Sequence, residues 1–295
     1  MTESLSNEQR QALAATMRKS YVEIFPTPTI ESRLDALAPG SYVAVTCSPT
    51  RGIGETLAMC HRLVERGFQV VPHVAARMVR NRRHLKDIVR RLDETDIVSL
   101  FVPGGDAEQT AGAYSSALEV LRDIADIDHR FKEIGVAAHP EGHPFISDDV
   151  MLEQLVRKQA YADYIVTQMC FEADAIATWI NSIRNYGVTL PVWLGLPGAA
   201  ERAALLATSL RIGVGDSLRY LRRQGKSAAR LLASREYRPD ELLFNLAATV
   251  ADPAAGIHGY HIFCFNQVER SVRWRETFFA LVGDDQETAA HLDGT

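Results

Sequence analysis

Residues 97–106 read Ile-Val-Ser-Leu-Phe-Val-Pro-Gly-Gly-Asp. An apolar, β-branched run of this kind is a buried strand, and it ends on two glycines and a carboxylate. Seven more such runs occur: Val22 to Ile24, Tyr42 to Thr46, Val70 to His73, Ile134 to His139, Tyr164 to Gln168, Leu190 to Gly195 and Tyr260 to Asn266. Helical stretches lie between them. Strand and helix alternating eight times predict an α/β chain closed into a (β/α)8 TIM barrel. Chemistry in that fold sits where the strands end, so Glu23, Thr46, His73, Asp106, His139, His143, Gln168 and Asn266 should share one mouth.

Residues 3–20 are read as an extra N-terminal helix with Ser6 as N-cap, which covers the barrel floor or joins a second copy in a homo-oligomer. Helices are expected at 31–37, 54–66, 82–92, 115–130, 148–160 and 173–185. The stretch 200–255 exceeds one βα unit, and extra helices are read at 200–210, 215–224, 227–234 and 240–250 after strand seven. A last helix spans about 267–282, and residues 284–295 form a frayed tail. With no repeat and no Pro/Gly/Ser-rich linker, one domain over residues 1–295 is the economical reading.

The 295 residues carry a net charge of −5, which leaves no basic footprint for nucleic acid. No apolar run approaches the length of a membrane span. The start, MTESLSNEQRQ, has neither the basic region nor the apolar stretch of a signal peptide, so a cytoplasmic protein is expected. Cys47, Cys60, Cys170 and Cys264 show no CxxC spacing and read as small buried residues.

Several residues stand out. Glu23 lies inside an apolar strand. That is unfavourable unless the carboxyl is paired or keeps its proton, and a carboxyl that keeps its proton suits general-acid work. The alternative is a strand residue facing an ion-pair partner. His139-Pro140-Glu141-Gly142-His143-Pro144 offers metal-type ligands, but two prolines and a glycine forbid the helix of an HExxH site. It reads as a rigid ligand-gripping loop, and no metal is expected. Gly104-Gly105-Asp106 either lets a planar ligand approach the backbone or is a turn capped by Asp106. Arg77, Arg80, Arg82, Arg83 and Lys86 form a solvated helix face or attract an anionic tail. Trp179 and Trp193 read as core. Tyr220 stacks on a ligand or packs internally.

Taken in order, YVEIFPTP around Glu23, VTCSPTRG around Thr46, VVPHV around His73, VPGGD around Asp106, VAAHPEGHP, ADYIVTQMCFE around Gln168 and the closing YHIFCFNQ resemble the methylenetetrahydrofolate reductase family, from about Val22 to Trp274. The resemblance implies a (β/α)8 barrel that usually carries FAD, takes hydride from NADH or NADPH, and turns 5,10-methylenetetrahydrofolate, a reduced folate, into 5-methyltetrahydrofolate. It further implies Glu23 as general acid, Asp106 as the charge beside the pterin, Gln168 as the amide reading the pterin edge and Tyr220 against the aminobenzoyl ring. The family's flavin contacts map to Thr46, His73, Gly104, Gly105, Asp106, Tyr114, His139, His143, Val150, Glu153, Val156 and Arg157. Gly104 replaces a typical arginine. Val150, Glu153 and Val156 replace ribose- and phosphate-binding residues, leaving Arg157 as the basic one. The expectation is weak or absent FAD, with hydride passing directly from the nicotinamide. Two other readings stay open: a flavin-dependent barrel oxidoreductase acting on another substrate, and a catalytically silent folate-binding or assembly protein.

Overall fold

Four to seven residues per strand suffice for the ring that the alternation predicts. In the computed structural model, which describes residues 5–201, 205 and 236–283, the long strands are β1 Tyr21–Ile24, β2 Tyr42–Val45, β3 Gln69–Pro72, β4 Ser99–Val102, β5 Glu133–Ala138, β6 Tyr164–Met169, β7 Val192–Pro197 and β8 Ile257–Phe263. All pair in parallel in the order β3-β2-β1-β8-β7-β6-β5-β4. A single parallel bridge, His73 to Phe101, joins the two ends. Beyond it the amides of Val74, Ala76 and Arg77 donate to the carbonyls of Phe101, Pro103 and Gly104 at 2.8, 2.9 and 3.0 Å. The seam between β3 and β4 is therefore laced at its C-terminal end. At the other end a cavity of about 300 Å³ opens, lined by Gln69, Val71, Ser99 and Glu133 among others.

The two-residue period of a strand sorts its side chains between two cores. Val22, Val43, Val70, Leu100, Val136, Ile165, Leu194 and Ile262 point into the layer beneath the helices. Tyr21, Ala44, Val71, Phe101, Tyr164 and Val166 fill the ring itself, with Ala137 and Trp193 packed on them. One step further along the inward row come Glu23, Thr46, His73 and His261, all buried. A plug of aromatic and aliphatic groups thus forms a floor beneath a polar throat.

The covering helices are α1 Asn7–Arg18, α2 Ile30–Arg33, α3 Gly52–Glu65, α4 Arg82–Asp93, α5 Ala117–Ala125, α6 Asp148–Lys158, α7 Ala173–Asn185, α8 Asp240–Asn245, α9 Ala247–Ala251 and α10 Val268–Val282. Helix α1 is held by the Ser6–Gln9 capping box. It packs on α9, β8 and α10, and the Trp193 indole donates to the Lys19 carbonyl at its end. Its buried Leu13, Ala14 and Met17 join the layer beneath the helices. The expected helix 115–130 is confined to α5, and 240–250 breaks into α8 and α9 at Leu246. Ala200–Glu201 pairs antiparallel with Glu236–Tyr237, so the chain there is extended where a helix was expected. The expected helices 215–224 and 227–234, with Tyr220, lie outside the described residues, as does the tail 284–295. No described helix is long and apolar enough to cross a membrane.

Candidate active site

Glu23 is an inward residue of β1, one step past Tyr21, and is 7 % exposed. Its Oε2 lies 2.8 Å from His261 Nε2, an inward residue of β8, and β1 and β8 are adjacent, with Glu23 paired to Phe263. Sequence reading missed His261, although it stands in the quoted YHIFCFNQ. The signal was its place on the inward parity of the last strand. His73 faces both groups, its ring centre 5.7 Å from that of His261. Burial, reinforced by His261, drives the His73 imidazole well below its usual range, so it is uncharged. Ligand-type atoms of Glu23, His73 and His261 all lie within 4.8 Å of one another. Such a donor set suits a metal, and in this structure Glu23 and His261 are hydrogen-bonded to each other. Thr46, one residue past β2, is buried with its hydroxyl unpartnered among the described residues.

A second group lies around the rim. His139, one residue beyond β5, packs edge-on against His143 at 5.1 Å. Burial, with smaller contributions from His143 and Lys158, pushes His139 down to about 4. Burial also lowers His143, an effect opposed by the nearby charge of Asp106. Asp106 is on the exposed loop past β4. That loop is tied down by Arg77, whose guanidinium donates to the carbonyls of Ala107 and Glu108 at 2.7 and 2.8 Å. Gly105 has φ +95°, and a Cβ there would sit 2.9 Å from the Cβ of Ala75. It therefore seats the β4 loop against the β3 loop. Glu141 bridges the loop after β5 to the start of α7, accepting from the amides of Phe171 and Glu172 at 2.6 and 2.9 Å.

Gln168 owes its place to an irregularity. Val166 pairs with Trp193, but Met169 pairs with Gly195, so β6 carries one extra residue at Thr167–Gln168. Such a bulge re-aims side chains at a site. Gly195 makes it possible: a Cβ there would lie 2.4 Å from the Thr167 carbonyl oxygen and 2.6 Å from that of Gln168. The Thr167 hydroxyl accepts from the Gly195 amide at 2.7 Å, fastening the bulge.

Other expected site residues are engaged elsewhere. The Tyr114 hydroxyl bonds Asp123, which also pairs with Arg82 at 2.6 Å. Arg157 is exposed and pairs with Glu153 at 2.6 Å. Asn266 was expected at the mouth. Past the C-terminal end of β8, its amide clamps the exit of β1, accepting from the Phe25 amide at 2.8 Å and donating to the Phe25 carbonyl and the Thr27 hydroxyl, both at 3.1 Å.

The family model for methylenetetrahydrofolate reductase matches residues 29–199. Methylenetetrahydrofolate reductase 2 of Schizosaccharomyces pombe is 28% identical over 186 residues, which is 56% of this chain and 28% of that protein. "Probable methylenetetrahydrofolate reductase (NADH)" of Oryza sativa subsp. japonica is 30% identical over 101 residues, 30% of this chain and 17% of that protein. The match thus spans under a third of either relative's length. A candidate lyase/mutase of known structure from Burkholderia cenocepacia J2315 shares the fold, with TM-score 0.51 and 14% identity over 98% of this chain and 90% of that one. The family match extends from α2 to the end of β7 and takes in six of the eight barrel strands; on that ground the chain belongs to the methylenetetrahydrofolate reductase family.

Proposed function

We propose that this chain reduces 5,10-methylenetetrahydrofolate to 5-methyltetrahydrofolate, with NADH or NADPH as hydride donor and without a flavin. The observation that carries the reading is the Glu23 carboxyl, buried in the throat and hydrogen-bonded to His261 at 2.8 Å. In the substrate one carbon bridges two nitrogens. Protonation of N10 by Glu23 breaks its bond to that carbon and leaves an iminium on N5. Hydride from the nicotinamide C4 then adds to the iminium carbon, giving the methyl group and the oxidised nicotinamide. The charge of Asp106 at the rim stabilises the iminium, and Gln168 on its bulge binds the pterin edge. Thr46, His73, His139 and His143 line the rest of the mouth.

The residues present do not fit FAD. Two phosphates call for charge-assisted donors, yet Arg157 is held by Glu153. Lys158 is buried and donates to the Ala137 carbonyl, Val150 stands 44% exposed on the same helix, and the Tyr114 hydroxyl is spent on Asp123. The direct route needs no such donors.

The test is an anaerobic assay of NADH oxidation by methylenetetrahydrofolate with purified protein and no added flavin, alongside its visible spectrum. Turnover with no flavin absorbance supports the reading. Stoichiometric flavin on which turnover depends refutes the direct route, and a folate that binds without turnover refutes the enzyme. Glu23→Gln should abolish turnover while folate still binds, by a factor of about 100 to 10,000 if general-acid catalysis has its usual size.

A further inference from the structure

His261 has one ring nitrogen on Glu23 and the other, Nδ1, buried without a partner among the described residues. The two tautomers of the ring differ in what they leave unsatisfied. With the proton on Nδ1, a buried N–H donor is stranded. With the proton on Nε2, only a bare acceptor is left. Orphaned buried N–H groups are the rarer of the two in folded proteins. The nearby groups do not change the choice. His73 is uncharged and its Nε2 is also without a partner, and Tyr21, Phe101 and Phe263 surround the His261 ring with aromatic faces and edges. The Cys264 thiol beside Glu23 is spent on the Glu23 backbone carbonyl at 3.0 Å.

We propose that His261 is a positioning residue for Glu23: held as the Nε2–H tautomer, it donates to Oε2 and so leaves Oε1 as the atom that carries and delivers the acid proton. The inference rests on the reading of Glu23 as the acid and goes one step further. A donor fixed on Oε2 keeps the carboxyl from turning its proton into the throat wall. The same hydrogen bond becomes charge-assisted, and stronger, once Oε1 has given its proton up. It therefore helps the reacting state more than the resting one, which is the condition for raising kcat rather than lowering KM.

Two measurements test it. The imidazole nitrogens of the intact protein, labelled with ¹⁵N-histidine and assigned by comparison with His261→Gln, should show Nε2 protonated and Nδ1 bare at neutral pH. A proton on Nδ1, alone or with Nε2, overturns the proposal whatever the catalytic data say. In steady-state kinetics His261→Phe should lower kcat about 100-fold, the usual effect of losing one preorganised donor, with the KM for folate little changed. His261→Gln, whose amide N–H can reach the same oxygen, should recover at least tenfold of that loss. Equal failure of both variants, with folate binding retained, makes the ionisation of His261 its essential property and overturns the proposal. Absence of turnover in the unsubstituted protein would sink the functional reading, while the tautomer measurement still decides the placement of the proton.

Discussion

Gly195→Ala tests how the barrel presents Gln168. The new methyl carbon would stand 2.4 Å from the Thr167 oxygen, 2.6 Å from the Gln168 oxygen and 2.8 Å from the Gln168 carbonyl carbon. A relaxed contact is roughly 3.5 Å, so the bulge must retreat by roughly 1 Å. The obstacles are backbone atoms, and no side-chain rotation relieves them. Overpacking of a core typically costs about 1–3 kcal/mol, and displacement of backbone puts this case near 3. For a chain of this size that is a fall in Tm of roughly 6–10 °C. A misplacement of about 1 Å in a positioning group can also cost about 100-fold in rate, so kcat/KM for the folate should fall by more than the loss of folded protein explains. Gly54→Ala is the control, because nothing lies within 4 Å of a Cβ at that helical position. It should raise stability by up to about 1 kcal/mol. Thermal unfolding and steady-state kinetics on both variants decide the matter. Unchanged Tm and kcat/KM in Gly195→Ala would refute the claim that this glycine makes room for the bulge.

Asp106→Asn should slow turnover less than Glu23→Gln, by roughly tenfold, because an exposed carboxylate stabilises the iminium through more water; an equal or larger loss than at Glu23 would contradict the assignment of roles. Burial lowers the Lys158 ammonium to about 8 from 10.5. Folding therefore releases a proton between those values, and stability should rise with pH across that window. Lys158→Met should gain about 1–2 kcal/mol at pH 7, some of the ~3 kcal/mol the shift represents being offset by the lost bond to Ala137. Denaturant titrations at pH 7 and 10.5 check both the gain and its disappearance. His139, held at about 4 against an ordinary 6.5, has the same sign. Stability should drain away as pH falls from 6.5 to 4, by at most about 3 kcal/mol, and His139→Gln should flatten that slope in an acid-unfolding series.

The ring was legible because strand parity and helix spacing are local signals, and each of the eight runs became a strand. The ends of those strands were less so. β8 begins at Ile257 rather than Tyr260, since His258 and Gly259 break the apolar run while the backbone still pairs with β7. Glu23, Thr46 and His73 fell where inward parity puts them, and the cysteines are buried or half-buried and unpaired, as expected. His261 lies mid-strand, ahead of the polar strand end where barrel chemistry is expected, and Asn266 at that end clamps the exit of β1. The bulge at Gln168 depends on a glycine 27 positions later on a different strand, and no window of sequence contains both. The Glu153–Arg157 pair, by contrast, has the i,i+4 spacing of a helical ion pair and could have been read directly as a neutralised arginine.

Where β3 meets β4 the strands share a single ladder pair, and His73 supplies it. Seven junctions have ladders of three or more residue pairs; the eighth has a single bridge with three amides beyond it and an open cavity below. Thermal breathing should concentrate there, so the amides of Val74 and Ala76 should exchange with deuterium ahead of those in β1 and β2. Parting the seam moves the same histidine that flanks Glu23, so loosening of the wall and loss of the proposed turnover should become one event, and on heating the protein should lose that turnover before it melts.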